Sequence, residues 1–124
     1  MAKTILVVDD SATMLMSLKS TLEIGGFVVE TVHDGVQALN RVEAGLMPDL
    51  VITDINMPNM AGMDLIRRLK ALPGFRFVPI LTLTTEGETA KREEAKTLGA
   101  AGWLVKPVAG PDLIRVIKQL LPGA

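Results

Sequence analysis

A doubly wound α/β fold, with five parallel strands each followed by a helix, is the architecture this sequence predicts, and two observations predict it. Short β-branched runs recur along the chain and are mostly apolar on both faces, the pattern of strands covered from both sides. Each run is followed by a stretch with helical spacing that stops at glycine or proline. With 124 residues and no linker, repeat or low-complexity tract, the chain is expected to be one domain spanning residues 1–124.

The elements follow in order. Ile5 to Val8 is the first strand, and the helix from Ser11 to about Ile24 carries Met14, Leu15, Leu18 and Leu22 on one face before Gly25-Gly26. Phe27 to Val32 is the second strand, and Asp34 is placed to cap a helix that runs through Val36, Leu39 and Val42 to near Gly45. Leu50 to Thr53 leads into a helix over roughly Met63 to Leu72, closed by Pro73-Gly74. Ile80 to Thr84 precedes a helix from Glu88 to Leu98 that ends at Gly99. Trp103 to Val105 precedes the last, from Pro111 to Leu121, with Leu113, Ile117 and Leu120 inward and a stop at Pro122-Gly123-Ala124. Right-handed crossovers then make one five-stranded parallel sheet between two helical layers. The flavodoxin-like strand order 2-1-3-4-5 reverses between strands 1 and 3 and places any ligand at the carboxyl ends of the strands there.

Composition narrows the chemistry. The absence of cysteine excludes a disulfide scaffold, thiolate metal ligation and cysteine nucleophiles. Thirteen basic against fourteen acidic residues leave a net charge of -1, so no long-range field draws the protein to nucleic acid or anionic lipid. The first apolar run is cut by Asp9 and Asp10, far short of a secretory segment or the roughly 20 residues of a membrane helix. A cytoplasmic protein with neither nucleic-acid nor membrane partners is expected.

The strand ends carry the informative residues. Strand 1 delivers Asp9-Asp10, strand 3 Asp54, strand 4 Thr84-Thr85 and strand 5 Lys106-Pro107. Singly, each has an ordinary explanation as a turn former, strand residue or solvated lysine. Together they put three carboxylates, a hydroxyl and an ammonium on one rim, where two carboxylates ~5 Å apart repel by roughly 3 kcal/mol at an effective dielectric of ~20. One ammonium does not balance three carboxylates, and oxygen-only ligands suit Mg2+, which leaves room for a phosphoryl oxygen. A carboxylate beside Mg2+ and an ammonium is arranged for phosphoryl transfer. The acceptor is expected to be the most exposed aspartate at the rim, taken as Asp54, with Thr84 donating to a phosphoryl oxygen.

Asp9-Asp10-Ser11, Asp54-x-Asn56-Met57-Pro58-x-Met60-x-Gly62, Thr84 and Lys106-Pro107, in this order and spacing, resemble the receiver domain of two-component response regulators over the whole chain. The resemblance implies Asp54 as phosphoacceptor, with Asp10, Asp54 and the Asn56 carbonyl binding Mg2+ and Asp9 acting through metal-bound water. It also implies Thr84 as switch hydroxyl, Lys106 as phosphoryl-binding cation and a cis Lys106-Pro107 peptide. Trp103 stands where the family usually has tyrosine or phenylalanine and is assigned as the switch aromatic. Thr85 stands where many receivers have alanine or glycine, and narrower access to Asp54 is expected from it.

The function expected on this basis is a stand-alone, monomeric switch that takes a phosphoryl group from a histidine kinase. It would act on a downstream protein, such as a motor component or phosphotransfer protein, in chemotaxis or motility, because no output domain follows the fifth helix. It would assist its own phosphorylation and dephosphorylation without being an enzyme in the usual sense. A phosphorelay shuttle or phosphate sink is the alternative. A haloacid-dehalogenase-like phosphatase would need a D-x-D motif on strand 1, and a nucleotide-binding module a Gly-rich loop there; neither is present. The fourth helix, with few large apolar residues, is expected to be weakly anchored. His33 reads as a surface residue, Arg67-Arg68-Lys70 as a solvated face, and Met14, Met16 and Met63 as packing.

Overall fold

Ten elements alternate without exception in the computed structural model, which describes residues 2–123. They are β1 (Thr4–Val8), α1 (Ala12–Ile24), β2 (Val28–Val32), α2 (Gly35–Glu43), β3 (Leu50–Thr53), α3 (Gly62–Lys70), β4 (Ile80–Thr84), α4 (Thr89–Leu98), β5 (Gly102–Val105) and α5 (Gly110–Leu120). The expected domain's outermost residues, Met1 and Ala124, lie outside the described residues. All neighbouring strands are parallel, and the order is β2-β1-β3-β4-β5.

The sheet separates two apolar layers. Ile5, Val7, Ile52, Leu81 and Leu83 face α1 and α5, where they meet Leu15, Leu18, Leu22, Leu113 and Ile117. Leu6, Val8, Val51 and Ile80 face the other way, toward Leu65, Ile66 and Leu69 of α3 and Ala38 of α2. A strand buried on both faces has no exposed side, hence the mostly apolar and buried runs of β1, β3 and β4, whose threonines are buried with the rest in β3 and β4. The edge strands differ: β2 pairs only with β1 and β5 only with β4, and Val28 and Val105 are exposed. Full burial, expected for every strand, fails at these two because each lacks a neighbour on one side.

Most boundaries agree with the sequence reading to within a residue. Ser11 caps α1 by accepting from Met14 N, and Asp34 caps α2 by accepting from Gln37 N. α3 ends at Lys70, ahead of the expected Leu72, because residues before Pro73 are driven out of helical geometry. Val36 is exposed, since the inward stripe of α2 is Gly35, Ala38 and Val42. In α5 the fully inward residue past Ile117 is Leu121, which leaves helical geometry at the C-cap and turns in, while Leu120 is only partly buried. Met16 is exposed, so the packing role expected of it does not hold. Lys70 is not part of a solvated face: its ammonium donates to the carbonyls of Phe75, Arg76 and Val78 at 3.4, 3.3 and 2.7 Å, and burial pushes its pKa down.

Candidate functional site

Strand register sets the site. Val8 of β1 lies opposite Thr53 of β3, and Thr84 of β4 opposite Val105 of β5, so Asp9, Asp54 and Lys106 each leave the sheet one residue past a paired position. Main-chain bonds hold these exits: Asp9 N donates to Val32 O (3.2 Å), Asp54 N to Val8 O (3.0 Å) and Lys106 N to Thr84 O (2.8 Å).

The Lys106 ammonium sits between two carboxylates, 2.7 Å from Asp9 Oδ2 and 3.0 Å from Asp54 Oδ2. The remaining oxygens accept from the backbone, Asp9 Oδ1 from Ser11 N at 2.9 Å and Asp54 Oδ1 from Ile55 N at 2.6 Å. Burial pushes the Lys106 pKa down, but the hydrogen bonds and charges of Asp9 and Asp54 outweigh it, and the pKa lies above its ordinary 10.5. The ammonium is therefore charged at neutral pH. Carboxylate oxygens of Asp9, Asp10 and Asp54 lie within 4.8 Å of one another. Hard oxygen donors at this separation, with three carboxylates against one ammonium, fit a divalent cation such as Mg2+.

Exposure corrects one expectation. Asp54 is only 8 % exposed, because it lies between β1 and β4 with Lys106 across it, and the exposed carboxylate of the rim is Asp10, one residue further into the loop after β1. Asp54 is thus held by neighbours rather than offered by exposure. Asn56 lies in the exposed loop between β3 and α3. That loop is clamped at its end by Gly62, whose N–H donates to Ile55 O at 2.8 Å and where a Cβ would fall 2.1 Å from Asp54 O. Thr85 is exposed, and the Lys106-Pro107 peptide is cis.

Thr84 is fully buried, and its hydroxyl oxygen accepts from Glu86 N at 3.2 Å. Trp103 is 8 % exposed and packs in the apolar layer below α3 and α4, while its ring N–H donates to Glu86 O at 3.0 Å. The main chain of Glu86 therefore joins Thr84 to Trp103. Sequence reasoning missed Glu86, and no side-chain signal marks it, since the backbone makes both bonds.

The model of the response regulator receiver domain matches residues 5–118. The chain belongs to the receiver domain family of response regulators. This receiver is 41% identical over 121 residues to the chemotaxis protein CheY1 of Helicobacter pylori strain J99, with 96% of each chain covered. It is 37% identical over 120 residues to the phosphate regulon transcriptional regulatory protein PhoB of Rhizobium meliloti, of which it spans only 52%. Among solved structures, chemotaxis protein CheY4 of Vibrio cholerae superposes with a TM-score of 0.93 at 36% identity, covering 98% of this chain and all of that one. The receiver domain of the sensor histidine kinase PA1611 of Pseudomonas aeruginosa, with a magnesium ion in its active-site cleft, superposes at 0.88 and 28% identity over 97% and 98%. Receivers are signalling proteins of two-component systems whose acidic site binds Mg2+, and this chain is a CheY-like one. Among the described residues no helix is long and apolar enough to cross a membrane.

Proposed function

We propose that this receiver accepts a phosphoryl group on Asp54 from a histidine kinase and thereby changes its affinity for a partner protein. The observation that carries the reading is Lys106 bridging Asp9 and Asp54 at the rim, with Asp10 beside them. In the transfer, an Asp54 oxygen attacks the phosphorus of a phosphohistidine. The new P–O bond forms as the P–N bond breaks, and the imidazole leaves, taking a proton from water. Lys106 already lies at Asp54 Oδ2 and follows the developing phosphoryl charge. Asp10, Asp54 and the Asn56 carbonyl would hold Mg2+, with Asp9, which accepts from Ser11 N and Lys106, acting behind them. When bound, the cation supplies neutralisation of the phosphoryl oxygens.

Thr84 is the switch hydroxyl. Its oxygen is bonded to Glu86 N, so turning the hydroxyl toward a phosphoryl group releases Glu86, whose carbonyl holds the Trp103 ring. Trp103 thus acts as the switch aromatic through a bond that phenylalanine has no donor to make. Likeness to chemotaxis proteins along nearly their full length supports a role in chemotaxis or motility, with a motor component or phosphotransfer protein as target, in the cytoplasm and as a monomer. The likeness to PhoB covers half of that protein and supports the receiver alone. Labelling with radioactive acetyl phosphate and Mg2+ tests the assignment: one phosphoryl group per chain is expected on the wild type and none on Asp54→Asn. Undiminished labelling of the variant would place the acceptor elsewhere.

A further inference from the structure

We propose that Asn59 and Asp34 form a clasp that positions the loop between β3 and α3, and with it the Asn56 carbonyl, for Mg2+. The inference rests on the reading of the acidic rim as a Mg2+ site. Asn59 Nδ2 donates to Asp34 Oδ2 at 2.8 Å, across 25 residues of sequence. Asp34 is buried, and its other oxygen is already committed to Gln37 N at 2.9 Å as the cap of α2. The carboxylate is thus a fixed point on the scaffold, and Asn59 is the loop residue tied to it.

The backbone at Asn59 explains why a tie is required. Its φ is 69°, the only positive value outside glycine among the described residues, and Met60 N donates to Pro58 O at 2.7 Å across it. A bond from residue i+2 back to residue i over a central positive φ is the strained form of the γ-turn. Such a conformation persists where surrounding contacts over-determine it. The charge-assisted bond to Asp34 is one such contact, and Met60 against Gly35 is another, where a Cβ would fall 2.9 Å from Met60 Sδ. Gly62 clamps the loop's far end against Asp54. Asn56 lies between Ile55, whose carbonyl accepts from Gly62 N, and Asn59, so its carbonyl has a set direction only while both ties hold. Asn59 is a positioning residue and touches neither the carboxylates of the rim nor Lys106.

Substitution of Asn59→Gly removes the bond without adding strain, because glycine adopts φ of 69° freely. Mg2+ titration of the unphosphorylated protein, followed by the backbone amide resonances of Asp10 and Asp54, is expected to show about tenfold weaker binding in this variant, a change of about 1.4 kcal/mol. Its thermal midpoint should be little changed, because Asp34 still caps α2. Asp34→Asn should bind Mg2+ within about twofold of the wild type. In that variant the oxygen of the introduced amide keeps the cap, and a flipped Asn59 amide accepts from the introduced nitrogen. Wild-type affinity in Asn59→Gly overturns the clasp and leaves the metal site standing. Absence of Mg2+ binding by the wild type itself overturns the metal site and the clasp together.

Discussion

At Asp34 one carboxylate serves a helix cap and a loop, and the pH response of the molecule carries its mark. The hydrogen bond from the Gln37 backbone lowers its pKa below the ordinary 3.8, the bond from Asn59 lowers it further, and burial opposes them only in part. A carboxyl whose pKa is depressed by folding stabilises the fold fully above its unfolded pKa, and that contribution is lost as pH falls through the folded value. Acid titration of stability, followed by far-UV circular dichroism in urea, should therefore show a wild-type loss beginning near pH 3.8, with Asp34→Asn shallower over the same range. Identical slopes would mean that the carboxylate charge contributes nothing. Residue identity alone points to Asp9, Asp10, Asp54, Thr84 and Lys106, because their chemistry is rare enough at strand ends to be read from spacing. Glu86 and Asn59 are invisible to it: one acts through its peptide group, the other through a partner 25 positions away.

Among the elements, α4 is the one least tied to the core. Its single buried residue is Ala95, where α3 buries Leu65, Ile66 and Leu69. Its N-cap, Glu88, makes no side-chain bond to the helix, and only the left-handed Gly99, φ 113°, closes its far end. Apolar burial stabilises by roughly 25 cal/mol per Å2, so replacing leucines with alanine leaves α4 several kcal/mol less anchored than α3, to order of magnitude. Native-state hydrogen exchange should report α4 amides opening at least tenfold more readily than those of α3, about 1.4 kcal/mol or more. Equal protection of the two helices would remove α4 as a movable element. This weakness is legible in Thr89–Leu98, where charged and small residues occupy the positions that leucines fill in α3.

For the molecule as a whole, any ligand that binds only the folded rim stabilises all of it. A beryllium fluoride phosphoryl mimic with Mg2+, at about a hundred times its dissociation constant, contributes roughly 2.7 kcal/mol, which raises the melting temperature by about 10 °C in a chain of this size. Scanning calorimetry should show that shift in the wild type and none in Asp54→Asn; a shift in both would mean binding away from the rim. The sequence by itself determined the alternation of strands and helices, the parallel sheet and the gathering of charge at one edge. Apolar runs, caps and glycine stops are local properties, and strand ends in a parallel sheet all emerge on the same side. Tertiary structure alone decided which carboxylate is exposed, that Lys106 bridges Asp9 and Asp54, and that Trp103 lies inward on Glu86. It also decided that Asn59 reaches Asp34. These depend on the distances between segments far apart in the chain, which only the packing of sheet and helices sets.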